Sequence, residues 1–136
     1  MTRMLYACTV RVISSHPVVL AMSPFESADA LTIHSLDDYL HLRAPSVYLV
    51  RVEGNSMQGA GIFSGDLLVV DRQVDAKPGH IVIAAVNGEP MCKRFCREYD
   101  RHILRSENKR YPDRYILEGD TFEVWGVVVH SIRSHD

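Results

Sequence analysis

Cysteine is scarce in this chain, charge of one sign is not in surplus, and no apolar run reaches the roughly 18 residues that a membrane span needs. Each absence excludes something. Cys8, Cys92 and Cys96 are an odd, scattered set, which argues against a disulfide scaffold and fits a reducing cytosol. Cys92 and Cys96 would share one face of a strand, but no further cysteine and no suitably spaced histidine completes a zinc site. No metal and no cofactor is therefore expected. Lys plus Arg number 15 and Asp plus Glu 17, a formal net charge of −2. Such a chain has no bulk attraction to phosphate backbones, so direct sequence-specific DNA binding is not expected. The apolar stretch Met4 to Val10 is short for a signal-peptide core, and Arg11, His16 and Pro17 keep it from extending. No membrane association is expected, and the location expected is cytoplasmic. Internal repeats and low-complexity segments are absent.

The remaining features suit one globular domain: 136 residues, 46% of them hydrophobic. Residues 1–33 carry Ser-Ser, His-Pro and Ser-Pro breaks and read as an extended arm or loop rather than a packed element. "SLDDYLHL", Ser35 to Leu42, reads as a short helix with Ser35 as N-cap, Asp37 and Asp38 in the favourable first turn, and Pro45 blocking continuation. From Ser46 the chain turns β-rich. "VYLVRV", "DLLVVD" and "HIVIAAV" are apolar and largely β-branched. Asn87-Gly88 is a strong hairpin signal that folds "HIVIAAV" onto "EPMCKRFC", placing Lys93 on the return strand. "HILRSE", "RYILEG" and "FEVWGVVVHSI" supply further strands. The fold class expected is mainly β, compact and mostly antiparallel, with an extended N-terminal arm (1–33) and a β domain (34–136).

One stretch invites chemistry: "EGNSMQGAGIFSGDLLVVD", Glu53 to Asp71. A nucleophilic serine needs a base, backbone N–H groups aimed at the developing oxyanion, and room for a carbonyl. Gly54, Gly59 and Gly61 allow a tight backbone that presents Ser56 and its amide at a surface cleft. A turn serine is the commoner explanation of such a pattern. The base could be a histidine, although none of the seven has a triad context, or a lysine as in Ser-Lys dyads. A lysine base must be largely neutral near pH 7, so its pKa has to fall far below ~10.4, which takes desolvation or nearby positive charge. Lys93 suits this, among Met91, Cys92 and Phe95 with Arg94 beside it.

Three segments in order, "VEGNSMQGAGIFSGDLLVVDR", "PGHIVIAAVNGEPMCKRF" and "EVWGVVVHSI", resemble the self-cleaving Ser-Lys peptidase domain of the LexA/UmuD family. The likeness spans about residues 46–133. It implies that Ser56 is the nucleophile and Lys93 the general base, with the backbone amides of Ser56 and Asn55 forming the oxyanion hole. Only about 45 residues precede this part and they show one short helix, so the layout resembles UmuD rather than a repressor with a DNA-reading domain. The resemblance implies a homodimer, with "EVWGVVVHSI" and Trp125 near the dimer contacts. It also implies removal of the arm stimulated by RecA filament on single-stranded DNA, and assembly with a UmuC-like Y-family polymerase for translesion synthesis in the SOS response. Two departures stand out. The family lysine commonly follows Thr-Val, with the threonine helping to orient it; here Met91 and Cys92 occupy those positions. The usual Ala-Gly or Cys-Gly cut site is missing, leaving Leu20-Ala21 and Ala21-Met22 as candidate bonds. Two alternatives accompany this reading. One is a non-cleaving dimeric accessory or binding module with a vestigial dyad. The other is a signal-peptidase-like enzyme, for which the chain offers no membrane anchor. "ENKRYPDRY" reads as a solvated loop.

Overall fold

The computed structural model describes residues 9–14 and 35–136. Their architecture is one eight-stranded sheet with every neighbouring pair antiparallel. The strands are β1 (Thr9–Ser14), β2 (Val47–Glu53), β3 (Leu67–Asp71), β4 (Ile81–Val86), β5 (Glu89–Glu98), β6 (Arg101–Arg105), β7 (Arg114–Tyr115) and β8 (Phe122–Ile132). Their order is β1-β2-β3-β8-β4-β5-β6-β7. The C-terminal strand thus sits in the middle, between β3 and β4. β1, at one edge, also approaches β5, so the sheet curls on itself.

The mainly β, antiparallel expectation holds. Helix α1 (Leu36–Leu40) is shorter than the Ser35–Leu42 expectation: its Ser35 cap accepts from the Asp38 N–H, and His41 turns left-handed (φ 56°) to end it. Asn87 (φ 52°) and Gly88 (φ 81°) make the two-residue turn between β4 and β5, with Val86 opposite Glu89. That register carries Lys93 opposite Val82. Two expectations need correction. Residues 9–14, counted with the arm, form a strand paired to β2, and Val10 is buried in the core because it continues the apolar face of β2. "RYILEG" gives only Arg114–Tyr115 as strand, since only Ile103 and Leu104 of β6 find partners there.

The core lies on both faces of the sheet. Val50, Val52, Leu68, Val70, Ile83 and Cys92 point to one side with Met57 and Ile62. Val82, Ala84, Val86, Met91, Phe95, Leu104 and Val127 form a second cluster. Two buried faces explain why "IVIAAV" is continuously apolar instead of alternating. Trp125 is half-buried on the first cluster, and its carbonyl accepts the Tyr48 hydroxyl at 3.0 Å. Burial pushes the Tyr48 phenol up to about 12. Among the described residues no helix is long and apolar enough to cross a membrane, and no cluster of His, Cys, Asp or Glu is arranged to hold a metal ion.

Candidate active site

Ser56 lies in the loop that leaves β2, ahead of a single 3-10 turn, Gln58–Ala60. Glycines shape this loop in two ways. Gly61 (φ 82°) adopts the left-handed conformation that ends the turn. Gly59 packs so closely on the next loop that a Cβ there would lie 2.5 Å from the Glu107 carbonyl oxygen, and its N–H donates to that oxygen at 2.7 Å. The expectation that glycines present Ser56 at a surface cleft is corrected. Ser56 has 0% exposure, because Met57 beside it plugs into the core and draws the loop inward. Its Oγ is buried and has no hydrogen-bond partner.

Lys93 is also at 0% exposure, the largest fully buried side chain among the described residues. Side chains alternate along a strand, so it shares its face of β5 with Met91 and Phe95. Val82 stands opposite on β4. On the other side Arg94 pairs with Arg105, which carries Ser106, just past β6, opposite Lys93. Lys93 Nζ donates to Ser106 Oγ at 2.8 Å, and Ser106 Oγ in turn donates to the Pro112 carbonyl at 3.4 Å. The Tyr111 ring centre is 5.8 Å from Nζ. Apolar burial favours the neutral amine over the ammonium. Arg94, expected to add positive charge, faces the other way and is paired with Glu107 at 2.5 Å. Of the two causes considered for a neutral lysine, desolvation is the one this environment supplies.

The segment 106–111 bonds both the Lys93 amine and the loop that carries Ser56. Ser106 holds the amine, the Glu107 carbonyl holds Gly59, and Asn108 Nδ2 donates to the Asn55 carbonyl at 2.8 Å. A trans peptide points its C=O and N–H in opposite directions, so fixing the Asn55 carbonyl on Asn108 aims the Ser56 N–H away from Asn108. "ENKRYPDRY", expected to be a solvated loop, does leave Lys109, Arg110, Pro112 and Tyr115 exposed, but its Glu107 carbonyl and Asn108 side chain are bonded to the loop that carries Ser56. Asn55, Gln58, Asn108, Arg110 and Tyr111 line an open, polar pocket of ≈ 350 Å³.

Sequence reasoning missed Ser106, Asn108 and Tyr111. The register of the β5–β6 hairpin would have revealed Ser106, since a two-residue turn at Tyr99-Asp100 sets Glu98 opposite Arg101 and hence Lys93 opposite Ser106. That turn has no glycine, and its Tyr99 takes φ 56°, so the usual cue is missing. Cys92 is buried and Cys96 half-buried, and neither forms a disulfide. Cys8 and the candidate cut-site residues Leu20, Ala21 and Met22 lie outside the described residues.

Residues 20–129 match the family model described as Peptidase S24-like. The chain is 35% identical over 137 aligned positions to Protein MucA of Salmonella typhimurium, covering 82% of this chain and 93% of that one. Protein MucA of Escherichia coli matches equally well. The LexA repressor of Bordetella avium is 36% identical over 118 positions, covering 86% of this chain and 55% of the repressor. The chain thus spans about half the length of that repressor.

Proposed function

The chain belongs to the Peptidase S24-like family, within the LexA/UmuD group of SOS-related self-cleaving peptidases, and from that premise we propose that it removes its own N-terminal arm through a Ser56–Lys93 dyad. The observation carrying this reading is a pair of fully buried polar side chains, a hydroxyl without a hydrogen-bond partner and an amine, the amine bonded to a short segment that also holds the loop carrying the hydroxyl. Burying a polar group is costly unless it is hydrogen-bonded, and a catalytic role is one explanation for a buried hydroxyl left without a partner.

The chemistry follows from the two groups. Neutral Lys93 Nζ takes the proton from Ser56 Oγ as that oxygen attacks the scissile carbonyl. The carbonyl oxygen becomes an oxyanion, facing the backbone N–H groups of Ser56 and Asn55. Collapse breaks the C–N bond, and the Lys93 ammonium returns its proton to the departing amine. Water then enters with Lys93 again as base, releases the acyl group from Ser56 and leaves the dyad unchanged. The bond cut is Leu20-Ala21 or Ala21-Met22, a small residue beside it suiting a confined site. On this reading residues 1–33 are the partly removable arm and 34–136 the peptidase domain.

The biological setting proposed is that of a UmuD-like subunit. The chain forms a cytoplasmic homodimer, with Trp125 and β8 near the contact. RecA filament on single-stranded DNA stimulates trimming. The trimmed dimer serves a UmuC-like Y-family polymerase in translesion synthesis, without reading DNA sequence itself and without a cofactor. Match to Protein MucA over 93% of that chain supports this over a repressor layout.

Intact mass after incubation at about pH 7 and pH 10 tests the peptidase. The wild type is expected to lose roughly 20 residues, faster at high pH because more Lys93 is neutral. Ser56→Ala and Lys93→Ala should keep full length while remaining folded. An unchanged wild-type mass at both pH values, with RecA filament present, would instead favour the non-cleaving accessory module.

A further inference from the structure

We propose that Ser106 is the positioning residue for the Lys93 amine, supplying an orienting contact from the neighbouring strand end. The functional half of this inference rests on the Ser-Lys reading above; the placement half does not.

The side chains sharing the Lys93 face of β5 are Met91 and Phe95, both buried in the apolar cluster. A thioether is at best a weak acceptor and a phenyl ring offers only its face, so neither fixes the direction of an amine. Across β4 stands Val82, also apolar. Across β6 stands Ser106, itself buried, whose oxygen lies 2.8 Å from Nζ. Its hydroxyl proton is directed to the Pro112 carbonyl, so the lone pairs of Oγ are what Nζ meets. A neutral amine has two N–H bonds and one lone pair. Committing one N–H to a fixed acceptor sets the rotation about the terminal C–N bond and leaves the lone pair available to accept a proton.

Ser106 can do this because its own segment is braced. Tyr111 N–H donates to the Asn108 carbonyl at 3.0 Å and Arg110 N–H to Asn108 Oδ1 at 3.0 Å, closing the turn. Arg105 Nε bonds Asp113 Oδ2 at 3.1 Å on the other side of it. The same segment holds Asn55 through Asn108 and Gly59 through Glu107, so base and nucleophile loop share one rigid reference. Of the titratable or charged groups nearby, the Tyr111 ring lies 5.8 Å from Nζ, the Arg94–Glu107 pair is on the opposite face of β5, and Arg110 shares a pocket with Tyr111.

The test compares wild type with Ser106→Ala and Ser106→Thr by two readouts. One is the rate of self-cleavage by intact mass across pH 6 to 11. The other is the pH titration of the Lys93 ¹³Cε resonance in the Ser56→Ala background, where cleavage does not interfere. Ser106→Ala is expected to lower the high-pH plateau rate about tenfold, the loss of one orienting hydrogen bond. It should also move the midpoint of both curves to lower pH, because an acceptor that favours the ammonium is gone. Ser106→Thr should restore plateau and midpoint. Loss of packing alone would lower the rate without moving the midpoint. If Ser106→Ala fails to fold, Ser106→Cys, close in volume and a poor acceptor, is expected to shift both readouts the same way. Equal plateaus and equal midpoints in wild type and the folded variant would overturn the proposal. If the wild type never cleaves, the peptidase reading fails; the resonance titration still decides Ser106, unmoved midpoints overturning its placement and moved, Thr-restored ones upholding it.

Discussion

Asp66 is a buried carboxylate that holds the loop following Ser56 and illustrates how single residues hold this site. Its Oδ2 accepts from the Phe63 N–H at 2.9 Å and from Arg133 at 3.0 Å, and Oδ1 accepts from Arg133 Nε at 2.9 Å. Arg133 also donates to the Gly61 carbonyl at 2.8 Å and stacks over Phe63. One side chain past the end of β8 thereby clips the loop that carries Ser56. The Arg133 guanidinium is the main cause that holds the Asp66 carboxyl below its usual range, with the Phe63 N–H assisting against burial. A carboxyl with a depressed folded pKa stabilises the fold fully above the unfolded value, ~3.9, and this contribution is lost as pH falls through the lower folded value. Asp66→Asn should therefore cost about 2 kcal/mol at pH 7, the scale of charge-assisted hydrogen bonds. The gap from wild type should narrow as pH drops below ~4. Urea midpoints at pH 7 and pH 3 check this; a gap as wide at low pH as at neutral pH would contradict it. In the sequence Asp66 is one acid among 17, and nothing local marks it as the partner of an arginine 67 residues away.

At the scale of elements the site is two loops clasped together, residues 54–61 and 106–111. They touch at Asn55 and most closely at Gly59, whose amide-to-carbonyl contact with Glu107 leaves no room for a methyl group. Gly59→Ala is expected to cost about 1–3 kcal/mol, since the obstacle is backbone and cannot rotate away. Cleavage should suffer more than stability, because separating the loops shifts Asn55 and Ser106 together. Thermal melts and intact-mass rates on the same sample check this; a variant with wild-type rate would mean the clasp does not position the proposed dyad. Legibility also divides at this scale. The β4–β5 hairpin was readable because Asn87-Gly88 demands the turn it makes, and Lys93 was placed by it. The β5–β6 hairpin was not, because Tyr99 adopts a left-handed conformation that its sequence does not advertise. Missing that turn hid Ser106 and left 107–115 looking like solvated loop.

For the whole molecule the decisive feature is the position of β8. Ser56 belongs to the β1–β2–β3 side and Lys93 to the β4–β5–β6–β7 side, and the hydrogen-bonded ladder passes from one side to the other only through β8. Sequence reading identified "FEVWGVVVHSI" as a strand but could not insert it between β3 and β4, because such pairings link residues more than 35 apart with no turn to specify them. The same insertion explains why β8 carries register shifts against both neighbours: one strand has to match two sides whose pleats were set independently. It follows that the two sides should not unfold separately. Val127 is paired with Asp71 on one side and Val82 on the other, and Trp125 sits on the same strand, resting on the first cluster. Unfolding in urea followed by Trp125 fluorescence and by far-ultraviolet circular dichroism is expected to give coincident single transitions. Val127→Ala should move both midpoints down together, by about 1–2 kcal/mol for the lost methyl groups and the space they leave. Curves that separate, in the wild type or in the variant, would mean that Ser56 and Lys93 stand on independently stable halves and that β8 is not what joins them.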